Sequence, residues 1–456
     1  MPHSSQLVDA ITEGKEPAQK HHDIGTDTTN PEAATSPKNG IPEPQSPGLA
    51  STLLPPPPNG GLLAWLQVAA GFAILFNTWG MISAFSVFQT YYESGELFEA
   101  ASSNISWIGS TQSFLLQLTG LVAGPVYDRG YLRLLLVTGS FMVVFGLMML
   151  SLSEEYWQAL LAQAFCVGIG AGLLFVPTVS LLPTWFSTRM GLAIGIASSG
   201  SSLGGVIYPI VLSRLIPRVG FPWAVRAMGF IALATFLVPL AVMRVRVHPP
   251  KPRAVVDWAA FRDVPFMLFT LAVLIIFIGQ TVLLFYISFY PADKRLTDPS
   301  LAFYIAAIFN AGSVLGRILP NALSDKIGVF NTMAPLAVLL GVTMLCLLAV
   351  HNAAGMVVEA VVTGFFSGIV VALPPVCFRV LTENPSMIGT RIGQGFATAG
   401  IGLFIAGPTA GAILGTTEPL DWTGLWVYGG VTVIAGGVIL FAVRFMRAGF
   451  KLNVKA

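Results

Sequence analysis

The sequence predicts an all-α integral membrane protein whose twelve transmembrane helices form two pseudo-symmetric six-helix bundles. Three observations lead there: a deficit of charge, a train of apolar runs each long enough to cross a bilayer, and a loop motif that occurs twice, 197 residues apart. Charged residues make up 10% of the 456-residue chain and apolar residues 54%, whereas soluble domains carry roughly 25% charge. A water-soluble chain this poor in charge could not cover its own surface. A mean hydropathy of +0.74 places most of that surface against lipid.

Residues 1–58 are a different material. They are rich in Pro, Ser, Thr, Glu and Asp and close on Pro55-Pro56-Pro57-Pro58. Such a segment cannot bury enough apolar surface to fold, so it is expected to be a disordered tail left in the cytosol. With no basic stretch leading into an apolar one at the start, no cleavable signal peptide is expected. From Asn59 onward apolar runs follow one another. A helix needs about 20 apolar residues to cross the hydrocarbon core, and backbone groups in lipid must pair within their own segment. Helical spans are therefore placed near 65–90, 105–127, 132–152, 157–182, 190–212 and 223–243, then near 265–288, 301–323, 333–351, 355–379, 390–414 and 424–446. Leu134 to Ser153 holds no charge at all, and Gly168, Gly170 and Gly172 suit close helix–helix contact. This divides the chain into a tail (1–58), a first bundle (59–246), a basic, proline-broken linker (247–262), a second bundle (263–446) and a short tail (447–456).

Orientation follows from Lys and Arg in the short loops. With the N-terminus cytosolic, fifteen of them, among them Arg129, Arg133, Arg189, Arg246, Lys326, Arg391 and Arg447, fall on the inner side. Five fall on the outer side, three of these (Arg214, Arg218 and Arg226) in one stretch that breaks the pattern. An even number of spans puts both termini in the cytosol. Asn104-Ile105-Ser106 is the one Asn-X-Ser/Thr sequon with X other than proline. In this topology it is a candidate glycosylation site in the first outer loop.

Several classes are excluded or disfavoured. A net charge of +2 implies no nucleic-acid partner. Cys166, Cys346 and Cys377 lie within apolar runs and read as small core residues rather than disulfides or metal ligands. The five histidines have no neighbours that would make a catalytic or metal constellation. No enzyme activity, metal or cofactor is expected.

The repeated loop reads Gly124-Pro-Val-Tyr-Asp128-Arg129-Gly130 after the second span and Ser324-Asp325-Lys326-Ile-Gly328 after the eighth. Matched acid–base pairs at corresponding helix ends suggest duplicated halves. Asp128 and Arg129, like Asp325 and Lys326, are expected to gate one face of an alternating-access cycle, the Asp pairing with an Arg or Lys across the interface between halves; the competing reading is a plain turn with a solvated ion pair.

This loop resembles the signature of the major facilitator superfamily. More narrowly, the chain is similar to the fungal branch of the monocarboxylate porter family. Asn59-Gly60-Gly61 through Trp65, the stretch from Trp185 through Arg189, Gly191 and Gly195 to Ser199-Gly200-Ser201-Ser202, and Gly124 to Arg133 carry the likeness. Asn59 stands where the family usually has Asp, Ser313 where it has an Asp before Arg317, and Ser83 near its lysine. The resemblance implies a transporter fold and an anionic or polar substrate.

Within the spans, Arg317 is the one deep basic residue. Burying that charge costs several kcal/mol unless it faces a cavity or a partner. Asn310, Ser313, Arg317, Asn321 and Ser324 follow spacings of 3, 4, 4 and 3, which set them on one helical face lining a cavity. The competing reading is a structural arginine held by neighbouring carbonyls. Glu359 is the acidic counterpart: a partner for Arg317, a carrier of a coupling proton, or an interfacial carboxylate. Asn77, Gln112, Gln280 and Gln394 are isolated polar residues, either helix–helix glue or ligand contacts. Asn77 and Gln280 join Arg317, Asn310 and Ser313 as candidate substrate contacts. Trp79 and Phe365 are candidate cavity walls. The expected function is secondary transport of a small organic acid by a monomer in the plasma membrane or, alternatively, the vacuolar membrane, with or without a coupled proton. Efflux of a larger fungal secondary metabolite and a non-transporting membrane sensor are the rivals.

Overall fold

Apolar runs cut to bilayer length become helices because lipid offers the backbone no other partner. A computed structural model of the chain describes residues 57–100, 102–246, 256–384, 387–415 and 419–449, all within one unit, Leu54–Ala456. The expected disordered tail up to residue 56, the linker stretch 247–255 and residues 450–456 lie outside the described residues. The spanning segments are α1 (Leu62–Tyr92), α2 (Ser102–Asp128), α3 (Leu132–Leu150) and α4 (Tyr156–Trp185). Met190–Val242 follows as one 53-residue stretch whose helical geometry fails at Gly220 (φ 78°, ψ 165°), so it holds α5 (190–219) and α6 (221–242). Then come α7 (Val264–Tyr286), α8 (Pro299–Ile327), α9 (Val329–Cys346), α10 (Ala353–Leu381), α11 (Ile388–Leu414) and α12 (Trp422–Ala448). The described residues contain no strand.

Most of these stretches are apolar enough to cross a membrane on composition alone, while α2 and α8 are as long but more polar. That difference reflects position. On α3, Leu134, Val137, Phe141, Phe145 and Met149 stand exposed at helical spacing. Such a stripe would be costly in water and fits lipid. α2 and α8 instead run through the middle, each packed on helices of both sets. Irregularities have local causes. Pro374-Pro375 breaks α10 at Leu373. α1 breaks at Thr78 and Ala84, where the hydroxyls of Thr78 and Ser83 donate back to the carbonyls of Ile74 and Trp79.

Packing among the first six helices recurs six helices later: α1 on α5 as α7 on α11, α2 on α4 as α8 on α10, and α3 on α6 as α9 on α12. Two antiparallel pairs join the sets, α5 with α8 and α2 with α11. Both seams close on glycine. A Cβ at Gly195 would overlap the Arg317 carbonyl oxygen, and one at Gly393 would lie 2.9 Å from that of Gly120. Gly195 and Gly393 are 198 residues apart, so the duplication seen in the loops extends through the seams.

Two expectations are corrected here. The arginine-rich stretch 213–226 is no loop: α5 runs on to the bend at Gly220. There Arg214 donates to the Tyr304 hydroxyl of α8, while Arg226 donates to Ser151 Oγ and stacks over Trp223. The sequon likewise lies in the first turns of α2, with Asn104 exposed and Ile105 fully buried. Cys166 and Cys377 are at least partly buried, but Cys346 is exposed at the end of α9.

Candidate functional site

α1, α4, α5, α7, α8, α10 and α11 surround a narrow central cleft of about 20 Å³. Its walls are apolar and aromatic. Phe175 meets Phe396 edge-on at 5.3 Å and Trp79 at 5.9 Å, and Phe277 faces them from α7. Ser198, Ser201 and Arg317 supply the polar atoms.

Arg317 sits ten residues before the end of α8, or about 15 Å at 1.5 Å per residue. Asp298 caps the other end of α8 by accepting from Leu301 N, with Pro299 as its first residue. The guanidinium is buried, 7% exposed. Its Nη1 donates to the Ser198 carbonyl at 3.0 Å and to Ser201 Oγ, both on α5, and its Nε donates to Ser313 Oγ at 3.3 Å. Among the described residues Nη2 makes no hydrogen bond and no carboxylate pairs with the group. Of the two sequence readings, a cavity residue and a carbonyl-held one, Arg317 satisfies both. The scaffold is duplicated but its charge is not: the position 197 residues earlier, on α2, is Gly120.

The other candidates divide. Ser313 orients Arg317. Asn310 is buried about two turns up α8, donating to the Ala306 carbonyl at 2.9 Å and packed against Gly205 of α5. Asn321 donates to the Arg317 carbonyl at 2.7 Å. The polar stripe thus lies along the α5 seam, and only Arg317 of it reaches the cleft wall. Asn77 is fully buried between α1 and α6, donating to Thr235 Oγ1 at 2.7 Å and accepting from the Tyr208 hydroxyl. Gln280 donates to Ser367 Oγ at 2.7 Å, tying α7 to α10, while its Oε1 is buried without a partner. Neither lines the cleft. Glu359 accepts from Thr363 Oγ1 at 2.7 Å on its own helix; it does not pair with Arg317, because its side chain is satisfied one turn away. Trp79 lines the cleft and Phe365 does not. Ser198 and Ser201 escaped the site reading, although a Ser198-Ser199-Gly200-Ser201-Ser202 run inside a span was a visible signal. Phe175, Phe277 and Phe396 left none, since aromatic residues are common in apolar helices.

The repeated loops also work differently from the expected ion pairs. Asp325 accepts the backbone N–H groups of Gly191 and Leu192 at 2.8 and 3.0 Å, across the seam at the start of α5. A helix start presents unpaired N–H groups and a positive dipole end, so the carboxylate docks on backbone. Lys326 and Arg129 are exposed and form no ion pair among the described residues, while Asp128 is buried. Asn59, at positive φ, accepts from Ser187 N at 2.6 Å and Thr188 N at 2.9 Å. Its carbonyl oxygen serves where a carboxylate would. The opposite face is closed by Arg214 on Tyr304 and by Phe85 against Phe285 at 6.0 Å. Basic residues on the Asp325 face cap helix C-termini: Arg133 donates to the Leu240 carbonyl, Arg246 to Thr184 and Arg447 to Val380.

Comparison with known proteins agrees with this architecture. Residues 68–381 match the Major Facilitator Superfamily. The chain is 60% identical over 386 residues to the MFS-type transporter dbaD of Emericella nidulans, covering 84% of this chain and 87% of that one. It is 57% identical over 220 residues to the MFS-type transporter eupM of a Phoma species, covering 48% and 78%. It is 34% identical over 392 residues to the aspyridones efflux protein apdF of Emericella nidulans, covering 86% and 80%. These relatives are transporters, not enzymes. With its duplicated helical seams and its multi-pass helices, the chain belongs to the Major Facilitator Superfamily.

Proposed function

We propose that this transporter exports an apolar, aromatic organic anion, such as a fungal secondary metabolite bearing a carboxylate or an acidic enol, by alternating access. The observation that carries the proposal is a buried guanidinium with a free Nη2 and no carboxylate partner, set in a wall of Trp79, Phe175, Phe277 and Phe396. The cation favours an acidic group. The aromatic wall is far more apolar than a small, well-hydrated monocarboxylate needs, so the larger substrate is preferred over the small one. The efflux named for one relative points the same way.

The same proposal takes residues 59–246 and 263–446 as the two halves that rock about the cleft. It places the Asp325 face in the cytosol, because the basic residues gather there, with both termini on that side. The membrane is taken to be the plasma membrane, and the working unit a monomer.

The test is binding to the purified protein. Naphthalene-2-carboxylate should quench tryptophan fluorescence, and Arg317→Gln should weaken its binding roughly tenfold to a hundredfold, the worth of a charge-assisted hydrogen bond. Phe396→Ala should weaken it severalfold. A folded wild type that binds and moves lactate but ignores the aromatic acid would sink the proposal.

A further inference from the structure

Resting on the substrate class just proposed, we infer that the substrate crosses as the bare anion, without a coupled proton, so that each cycle moves net charge and the membrane potential drives export.

Among the described residues Arg317 stands without an acidic neighbour. It is the one ionisable side chain on the cleft wall among the described residues. Its own helix offers Ser313 and Asn321, and α5 offers the Ser198 carbonyl and the Ser201 hydroxyl. The faces of α1, α4, α7, α10 and α11 that meet the cleft present apolar side chains only. Among the described residues no carboxylate lines the cleft, the buried Asp128 at the end of α2 included. Glu359 accepts from Thr363, Asp325 holds the start of α5, and Asp257 and Asp263 both bind Arg391 at 2.8 and 2.7 Å.

A proton-coupled carrier needs a group that takes up a proton on one side, releases it on the other, and is coupled to the substrate site. A guanidinium does not serve, since it stays protonated. The empty cleft therefore carries one fixed positive charge and the loaded cleft is neutralised by its anion. Moving from loaded to empty across the membrane transfers one negative charge outward per cycle. In a cell with a negative interior that direction is downhill. One charge in 100 mV supports a gradient of about 50-fold.

The test uses the full-length protein in proteoliposomes. The probes are naphthalene-2-carboxylate and naphthalene-2-sulfonate, the second a permanent anion that cannot carry a proton. A potassium–valinomycin potential of about 100 mV should drive accumulation of both probes, tens of fold, toward the positive side. A pH gradient of one unit at zero potential should drive neither. Flux that follows the pH gradient and ignores the potential, with binding intact, overturns the inference and leaves the binding reading standing. Absence of binding by a folded wild type overturns the binding reading and the inference with it.

A second measurement reverses the design. Ser313 Oγ lies 3.3 Å from Arg317 Nε, so Ser313→Asp puts a carboxylate within ion-pair reach. Affinity for the sulfonate should fall at least tenfold at neutral pH and recover as the pH is lowered, while wild-type affinity stays flat. A wild type with the same pH dependence as the variant would contradict the inference.

Discussion

Asp325 shows how much one side chain can carry at the seam. Its two oxygens take two N–H groups of α5, making a helix cap that belongs to another helix. Losing a cap of this kind costs about 1 kcal/mol. Asp325→Ala should therefore shift the transporter roughly fivefold toward the state open on the Asp325 face. Faster labelling of a cysteine placed at Ile194, on the cleft wall, would report it; unchanged labelling would show that the cap is not part of the gate. The acid was legible in the sequence because it recurs, but its partner was not. A turn motif names the residues near it in the chain, whereas the N–H groups that Asp325 binds come from a helix start more than 130 residues away. Arg317 was legible for the opposite reason: a lone charge in a span is conspicuous wherever it points.

Among the elements, α5 and α11 each lie against the other set of helices along their length, so the proposed rocking would turn on them. At Gly195 and Gly393 they approach the facing backbone so closely that a Cβ would crowd a carbonyl oxygen. Gly195→Val and Gly393→Val should each abolish flux by more than tenfold while the protein still inserts and purifies, as judged by transport and thermal melting of matched samples. Loss of flux in one variant alone would mean that the two seams do not share the movement. The helices themselves were readable because bilayer thickness fixes their length. The bend between α5 and α6 was not, because three arginines imitate a loop. The structure instead spends Arg214 and Arg226 on hydrogen bonds beside a single glycine at positive φ.

The molecule as a whole holds its two faces by unlike means. One face uses a carboxylate on backbone; the other uses Arg214 on a tyrosine hydroxyl and a contact of two phenyl rings. Between them, Ser110 Oγ and both polar atoms of Gln117 are buried in the α2–α11 seam without partners. Groups left so cost about 1–3 kcal/mol each, so this closed seam is held against a standing penalty. In the other seam, between α5 and α8, Tyr304→Phe removes the hydrogen bond from Arg214, worth about 1 kcal/mol. The expected result is severalfold faster labelling of a cysteine at Phe285 from the side opposite Asp325. No change would place the closure of that face in the phenyl contact alone.

Asn59 adds a mechanical consequence. It fastens the chain to Ser187 and Thr188, three residues before the amide that Asp325 holds. A pull on the chain ahead of Asn59 would therefore be felt at the start of α5. The proposed rocking would then carry a mechanical load applied without any contact with the cleft.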